Sequence, residues 1–228
     1  MTTATGNRAV ILLHGLGRSR AVMRRMERRC QQSGWTVANV GYPSLRKPLA
    51  SNVDLVRATA RALNRNGAQQ ISFVGHSLGG LIARLAASNA QHDGYTLGRI
   101  VLLGSPAGGS AIAEALKDFT PFRMIAGDCG QAVTPLRALQ VPVPPAEIAI
   151  IAGGNGKRGY NPFLRGDNDG IVKVAETRLN GSESGFLLLP SIHPTLPMHR
   201  AAVTATLSFL ETGNMLAQSE PQPRAARS

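Results

Sequence analysis

Apolar residues along the chain follow two alternating patterns. Short unbroken runs alternate with longer stretches in which apolar side chains recur every three or four positions. The runs Arg8–Leu13 (RAVILL), Thr36–Val40, Ile71–Val74, Arg99–Leu103 (RIVLL), Glu147–Ala152 (EIAIIA) and Phe186–Leu189 read as strands, Arg8–Leu13 as one covered on both faces. Helical spacing follows most of them. Val22, Met26 and Cys30 form an apolar line in a helix expected from the arginine-rich stretch at Arg18 to about Ser33. Val53, Val56, Ala60 and Leu63 mark a second helix, capped by Ser51 or Asn52 and running to about Asn64. Leu81, Ile82, Leu85 and Ala86 mark a third, and Val203, Leu207 and Leu210 a last one over about His199–Glu211, stopped by Gly213.

Six strands alternating with helices predict an α/β fold: a doubly wound, mostly parallel sheet with helices on both faces and right-handed crossovers. Ligand sites in such sheets lie at the carboxyl ends of the strands. The segment 107–146 interrupts the alternation, with a helical pattern at Ala111–Phe119, an apolar patch at Phe122–Ile125 and a stiff return, Val141–Pro145 (VPVPP). It reads as a small cap inserted into one domain spanning 1–215, a plain structural connection being the equal alternative. Residues 216–228 are polar and proline-containing and read as a disordered tail.

The chemistry concentrates in Gln70–Ala87, QISFVGHSLGGLIARLAA. A buried strand runs into Gly75-His76-Ser77-Leu78-Gly79, which fits G-x-S-x-G, and a helix begins at once. A serine at such a tip takes a strained backbone, tolerable where Gly75, Gly79 and Gly80 leave room. Ser77 is then exposed above the sheet near the positive end of the following helix. The competing reading is a glycine-rich turn with a chance serine, which the flanking strand and helix disfavour.

Composition narrows the partners. Residues of the hydrophobic type make up 43% and charged residues 17% of 228, which suits a soluble globular protein with a substantial core. No apolar run approaches the roughly 20 residues needed to cross a bilayer, and the stretch MTTATGNRAV lacks a signal-peptide pattern. A cytoplasmic location, with peripheral membrane association as an option, is the resulting expectation. The net charge of +12 comes mainly from 21 arginines, six of them within Arg18–Arg29. That helix could meet an anionic membrane surface, although a solvated face is the plainer account. Few aromatics and no metal-finger spacing speak against nucleic acid. Cys30 and Cys129 have neither metal nor disulfide spacing and read as free thiols.

These features together resemble the α/β-hydrolase superfamily, and within it the bacterial lipases and esterases. The resemblance runs from Arg8 to Gly213 and rests on HGLG after the first strand, GHSLGG at the elbow, LGSPAGGS after the fourth strand, NDGIV, and a late histidine before the terminal helix. The family's first two strands are missing, which implies the order 2-1-3-4-5-6 in this chain's own count. The superfamily's chain order, serine then acid then histidine, implies that the base follows Ser77. His193, directly after the sixth strand, is preferred over His199. Of Asp167 and Asp169, the family's NDG pattern points to Asp169. The oxyanion hole implied is the backbone N–H of Leu16 and of Leu78, supported by His14, Gly15, Gly17, Gly75, His76 and Gly79. His14 reads as a positioning residue rather than a base.

The resemblance implies a carboxylic ester hydrolase acting on a small-molecule or lipid ester through an acyl-enzyme, with no cofactor. No metal is expected, since Thr195 stands where some secreted lipases carry a calcium-binding aspartate. A thioesterase, an acyltransferase or a catalytically silent membrane-surface binding protein are the alternatives on the same fold. Oligomeric state is not readable from the sequence.

Overall fold

A computed structural model describes residues 8–215, leaving the tail read at 216–228 and the first seven residues outside the described part. Its centre is a six-stranded parallel sheet in the order β2-β1-β3-β4-β5-β6. The strands are β1 (Arg8–Leu13), β2 (Thr36–Val40), β3 (Gln70–His76), β4 (Thr96–Leu103), β5 (Ile148–Gly154) and β6 (Gly185–Pro190). This is the α/β architecture that the apolar runs implied, in the strand order that the resemblance implied.

The two-residue period of each strand divides the core. Ile11, Phe73, Ile100 and Ile150 face one layer, which α2 (Leu49–Arg65) and α3 (Leu78–Ala87) cover with Val56, Ala60, Leu81 and Ile82. Val10, Leu12, Val74, Val101 and Ile151 face the other. There α1 (Arg24–Gln32) and α7 (Arg200–Thr212) pack with Met26, Cys30, Val203, Leu207 and Phe209. These side chains are removed from water almost completely, and each such aliphatic or aromatic burial contributes roughly 1.5–3 kcal/mol. Runs that are apolar on both faces therefore have one stable placement, inside a two-sided sheet.

Three elements differ from the sequence reading. α2 begins at Leu49 after Pro48, so Ser51 and Asn52 lie inside the helix and neither caps it. The stretch after HGLG is not one helix but a 3₁₀ turn, Arg20–Met23, capped by the Ser19 hydroxyl and followed by α1. Its tighter winding turns Met23 rather than Val22 fully inward, so the apolar line is Met23, Met26 and Cys30. The segment between β4 and β5 holds three helices, α4 (Ala111–Leu116), α5 (Thr120–Ala132) and α6 (Pro135–Ala138). Gly127 breaks α5 with φ 56° and ψ −153°, a conformation open chiefly to glycine. No helix among the described residues is long and apolar enough to cross a membrane.

Register carries the fold to the site. Leu13 lies beside Val40 on one side and Gly75 on the other. The segments that follow β1, β2 and β3 therefore emerge together at the carboxyl edge.

Candidate active site

Ser77 sits between β3 and α3 with φ 55° and ψ −124°. This backbone costs an L-residue about 1–3 kcal/mol and persists only where its surroundings hold it. Its N–H donates to the Leu103 carbonyl at 2.9 Å, at the end of β4. A β-carbon on Gly75 would collide with the Gly79 carbonyl group and the Gly80 nitrogen, so the sharp turn requires glycine there. Gly79 likewise abuts the Leu13 and His14 carbonyls, and Gly80 abuts Ser105.

The HGLG loop reaches Ser77 from β1. A β-carbon on Gly15 would lie 3.0 Å from Ser77 Cβ and 3.1 Å from His76 Nδ1. The loop is fixed from the β2 side. The His14 ring stacks on Tyr42 with centroids 4.0 Å apart, and the Tyr42 hydroxyl donates to the His14 carbonyl. With its proton on Nδ1, His14 donates to the Gly15 carbonyl and accepts from the Tyr42 N–H at Nε2. Burial lowers the His14 pKa, which keeps the ring neutral. Gly17, at φ 64°, donates its N–H to Ser44 Oγ at 3.0 Å.

His193 opens a 3₁₀ turn, His193–Met198, after β6. Its Nδ1 lies 2.6 Å from Asp169 Oδ2, and its N–H donates to the Asp169 carbonyl at 2.8 Å. The other carboxylate oxygen of Asp169 accepts the N–H groups of Ile171 at 3.0 Å and Val172 at 2.8 Å. Both side chains are buried. Beside them, His76 donates from Nε2 to the His193 carbonyl at 3.0 Å. Its pKa is pushed far down, first by burial and then by the neighbouring His193 ring, so His76 is a neutral support.

The structure brings Ser77 and His193 to one cavity of about 180 Å³. Leu16, Ile112, Ala113, Val133, Ile171 and Val172 form its apolar wall, and Arg18 supplies a charge. No hydrogen bond joins Ser77 Oγ to His193 among the described residues; such bonds are often long before substrate binds. Leu16 is at the cavity and Leu78 is the first residue of α3, where the N–H groups have no partner within the helix.

The competing residues are occupied elsewhere. Asp167 accepts the N–H groups of Asn155, Gly156 and Asn168 and shapes the loop after β5. His199 is the residue before α7, and it is absent from the cavity lining. In the expected cap segment, Met124 and Ile125 are 79% and 66% exposed. The sequence reading does not include Tyr42 or Arg18 among the site residues, and it places Ile112, Ala113 and Val133 there only as part of the cap segment 107–146. A signal for Tyr42 existed, since Gly41-Tyr42-Pro43 follows the strand that the expected order sets beside β1.

A family model described as the alpha/beta hydrolase fold matches residues 8–122. The chain belongs to the α/β-hydrolase fold family. Among solved structures, the mature lipase BlEst2 of Bacillus licheniformis superposes with a TM-score of 0.71 at 17% identity, covering 92% of this chain and 93% of that one. The metagenomic carboxyl esterase MGS0156 gives 0.60 at 16% identity, over 84% and 65%. Phospholipase PlaB from Legionella pneumophila gives 0.52 at 18%, over 75% and 44%. At these identities the likeness is one of fold. A search of curated proteins found no match.

Proposed function

We propose that this α/β-hydrolase is a carboxylic ester hydrolase in which Ser77 is the nucleophile, His193 the base and Asp169 the acid that orients it. The observation that carries the reading is one arrangement. A serine held at positive φ between strand and helix shares a cavity with a histidine whose far nitrogen is bonded to a buried carboxylate. A neutral serine is a poor nucleophile and needs that base. In the forward step Ser77 Oγ attacks the ester carbonyl while His193 Nε2 takes its proton. The tetrahedral oxyanion is stabilised by the N–H groups of Leu16 and Leu78. Collapse expels the alcohol, which receives the proton from His193, and leaves an acyl group on Ser77. Water then attacks with the same base and releases the carboxylic acid.

Asp169 holds the His193 proton on Nδ1, which leaves Nε2 free to accept. The apolar wall of Leu16, Ile112, Ala113, Val133, Ile171 and Val172 suits an acyl chain. A cavity of about 180 Å³ favours a short or medium acyl group inside it, with any longer chain leaving through the mouth. The segment 107–146, which contributes Ile112, Ala113 and Val133 to this wall, acts as the cap.

An anionic membrane surface is the second partner in this reading. Arg18, Arg20, Arg24, Arg25, Arg28 and Arg29 are all exposed, and among the described residues none is ion-paired. Each contributes about 1 kcal/mol near an anionic surface, and salt screens the effect.

The decisive experiment is turnover of p-nitrophenyl esters from acetate to palmitate by the wild type and Ser77→Ala, with fluorophosphonate labelling of both. Loss of turnover by 10³-fold or more and loss of label in a folded Ser77→Ala variant is the expected result. Undiminished hydrolysis would sink the reading.

A further inference from the structure

On the face of the sheet opposite α2 and α3, the helices α1 and α7 pack side by side. Between them lies a cleft of about 310 Å³, separate from the Ser77 cavity and lined by Arg25, Arg29, Arg200, Val203 and Thr204. Arg25 and Arg29 are four residues apart in α1 and so share one helical face. Arg200 is the first residue of α7, and Val203 and Thr204 continue the same side one turn on. Two helices thus bring three guanidiniums to one concavity.

None of the three is ion-paired among the described residues. The carboxylate within α1, Glu27, is turned away to Asn39 Nδ2 at 2.8 Å. Arg25 donates from Nη1 to the Met198 carbonyl at 3.0 Å, which orients its side chain toward α7. The guanidiniums of Arg29 and Arg200 make no hydrogen bond to protein among the described residues. Three like charges around a shared cleft repel one another, and a dianion between them would remove that repulsion. The first turn of α7 adds the positive end of its dipole.

We infer that the α1–α7 cleft is a binding site for a phosphate group with terminal oxygens, whether free phosphate or the phosphomonoester headgroup of an anionic lipid. Guanidinium forks match phosphate oxygens in pairs, and the Thr204 hydroxyl offers a further donor. Val203, a buried lining residue, gives apolar contact to whatever carries the phosphate. The cleft does not depend on the ester-hydrolase reading, since it shares no residue with the Ser77 cavity.

The test compares two variants that lose the same charge. Arg29→Gln with Arg200→Gln removes two lining residues, whereas Arg24→Gln with Arg28→Gln removes two neighbours outside the lining. Binding of inorganic phosphate is measured by calorimetry at constant ionic strength, alongside thermal unfolding to verify each fold. The wild type is expected to bind with a Kd on the order of 1 mM. The cleft variant should lose at least about thirtyfold, and the control should stay within about threefold. Ser77→Ala should bind like the wild type, which separates this outcome from that of the hydrolase reading. Co-sedimentation with phosphatidate-containing and pure phosphatidylcholine vesicles then distinguishes the sources. Retention on phosphatidate that falls much further in the cleft variant than in the control assigns the site to the lipid headgroup; phosphate binding without it assigns a soluble ligand. Equal losses in the two variants, or no saturable phosphate binding by the wild type, would overturn the inference.

Discussion

Replacing Asp169 by asparagine isolates one proton in the proposed mechanism. The Asp169 carboxylate uses one oxygen for the N–H groups of Ile171 and Val172 and the other for His193 Nδ1. An amide oxygen can keep both backbone bonds, so the loop after β5 has no reason to move. The amide NH₂ then faces Nδ1, and two donors cannot share that contact. His193 must carry its proton on Nε2 instead, the nitrogen required to accept from Ser77. The expected loss of kcat is 10³- to 10⁴-fold, about 4–5.5 kcal/mol at 1.36 kcal/mol per decade. Stability should fall by only about 1–2 kcal/mol, since a single hydrogen bond is exchanged. Asp167→Asn is the comparator: its carboxylate serves Asn155, Gly156 and Asn168, so it should lower the melting temperature and leave kcat within about threefold. The assay is turnover of a p-nitrophenyl butyrate substrate beside thermal melts of all three proteins. Retention of more than a tenth of kcat by Asp169→Asn would refute the assignment of the acid, and so would a greater loss in Asp167→Asn.

Three further outcomes are expected. Tyr42→Phe removes the hydroxyl that holds the His14 carbonyl; kcat should fall roughly tenfold with KM little changed, at a stability loss of about 1 kcal/mol, whereas unchanged kcat would deny Tyr42 a positioning role. Arg18 contributes a positive charge to the cavity, so Arg18→Gln should lower the kcat/KM ratio of carboxylate-bearing to neutral esters about tenfold; a parallel loss on both would defeat this. The Asp93 carboxyl is held below its ordinary value, first by the Arg57 hydrogen bond and also by Arg61, against the opposing effect of burial. A depressed folded pKa means stability present above the unfolded value of about 4 and lost as pH falls through the folded one. Asp93→Asn should therefore cost about 1–2 kcal/mol at pH 7, with a gap to wild type that closes toward pH 3; a gap independent of pH in denaturant titrations would contradict it.

The parts legible in the sequence were those written by burial and by backbone necessity. RAVILL, RIVLL and EIAIIA are apolar at every position after the first because both faces of their strands are covered. GHSLGG was readable because a strained serine demands neighbours without side chains. The inserted helices were less legible for the opposite reason. Phe119, Met124, Ile125, Leu136 and Leu139 point to solvent, so apolarity there does not report an inward face. Gly127 further splits α5 and erases its period. The loop that delivers Asp169 was invisible to periodicity altogether. It is organised by Asn168, whose buried amide bonds to the carbonyls of Arg158, Asn161 and Gly166 and to the N–H groups of Asn161 and Gly170. An asparagine in a polar loop carries no pattern that distinguishes such a role.

The helix that begins at the elbow also explains how the inserted helices are held beside the site. Two turns after Ser77, Arg84 is buried in α3 and donates to the carbonyls of Val141 and Pro142. Those carbonyls belong to the proline-rich return into β5. A segment rich in proline lacks N–H groups and cannot close its own hydrogen bonds, so its carbonyls need an outside donor. Burial lowers the Arg84 pKa to about 10, which leaves it charged at neutral pH. A buried guanidinium is costly unless its donors are met: Nε and Nη2 are met by these carbonyls, while the buried Nη1 has no partner among the described residues. One helix thus sets the backbone of Ser77 at its start and ties down, at Arg84, the return of the segment whose Ile112, Ala113 and Val133 line the cavity with Ser77. The cavity's apolar wall and its serine are therefore referenced to the same rigid element, so that a shift of α3 would move both together.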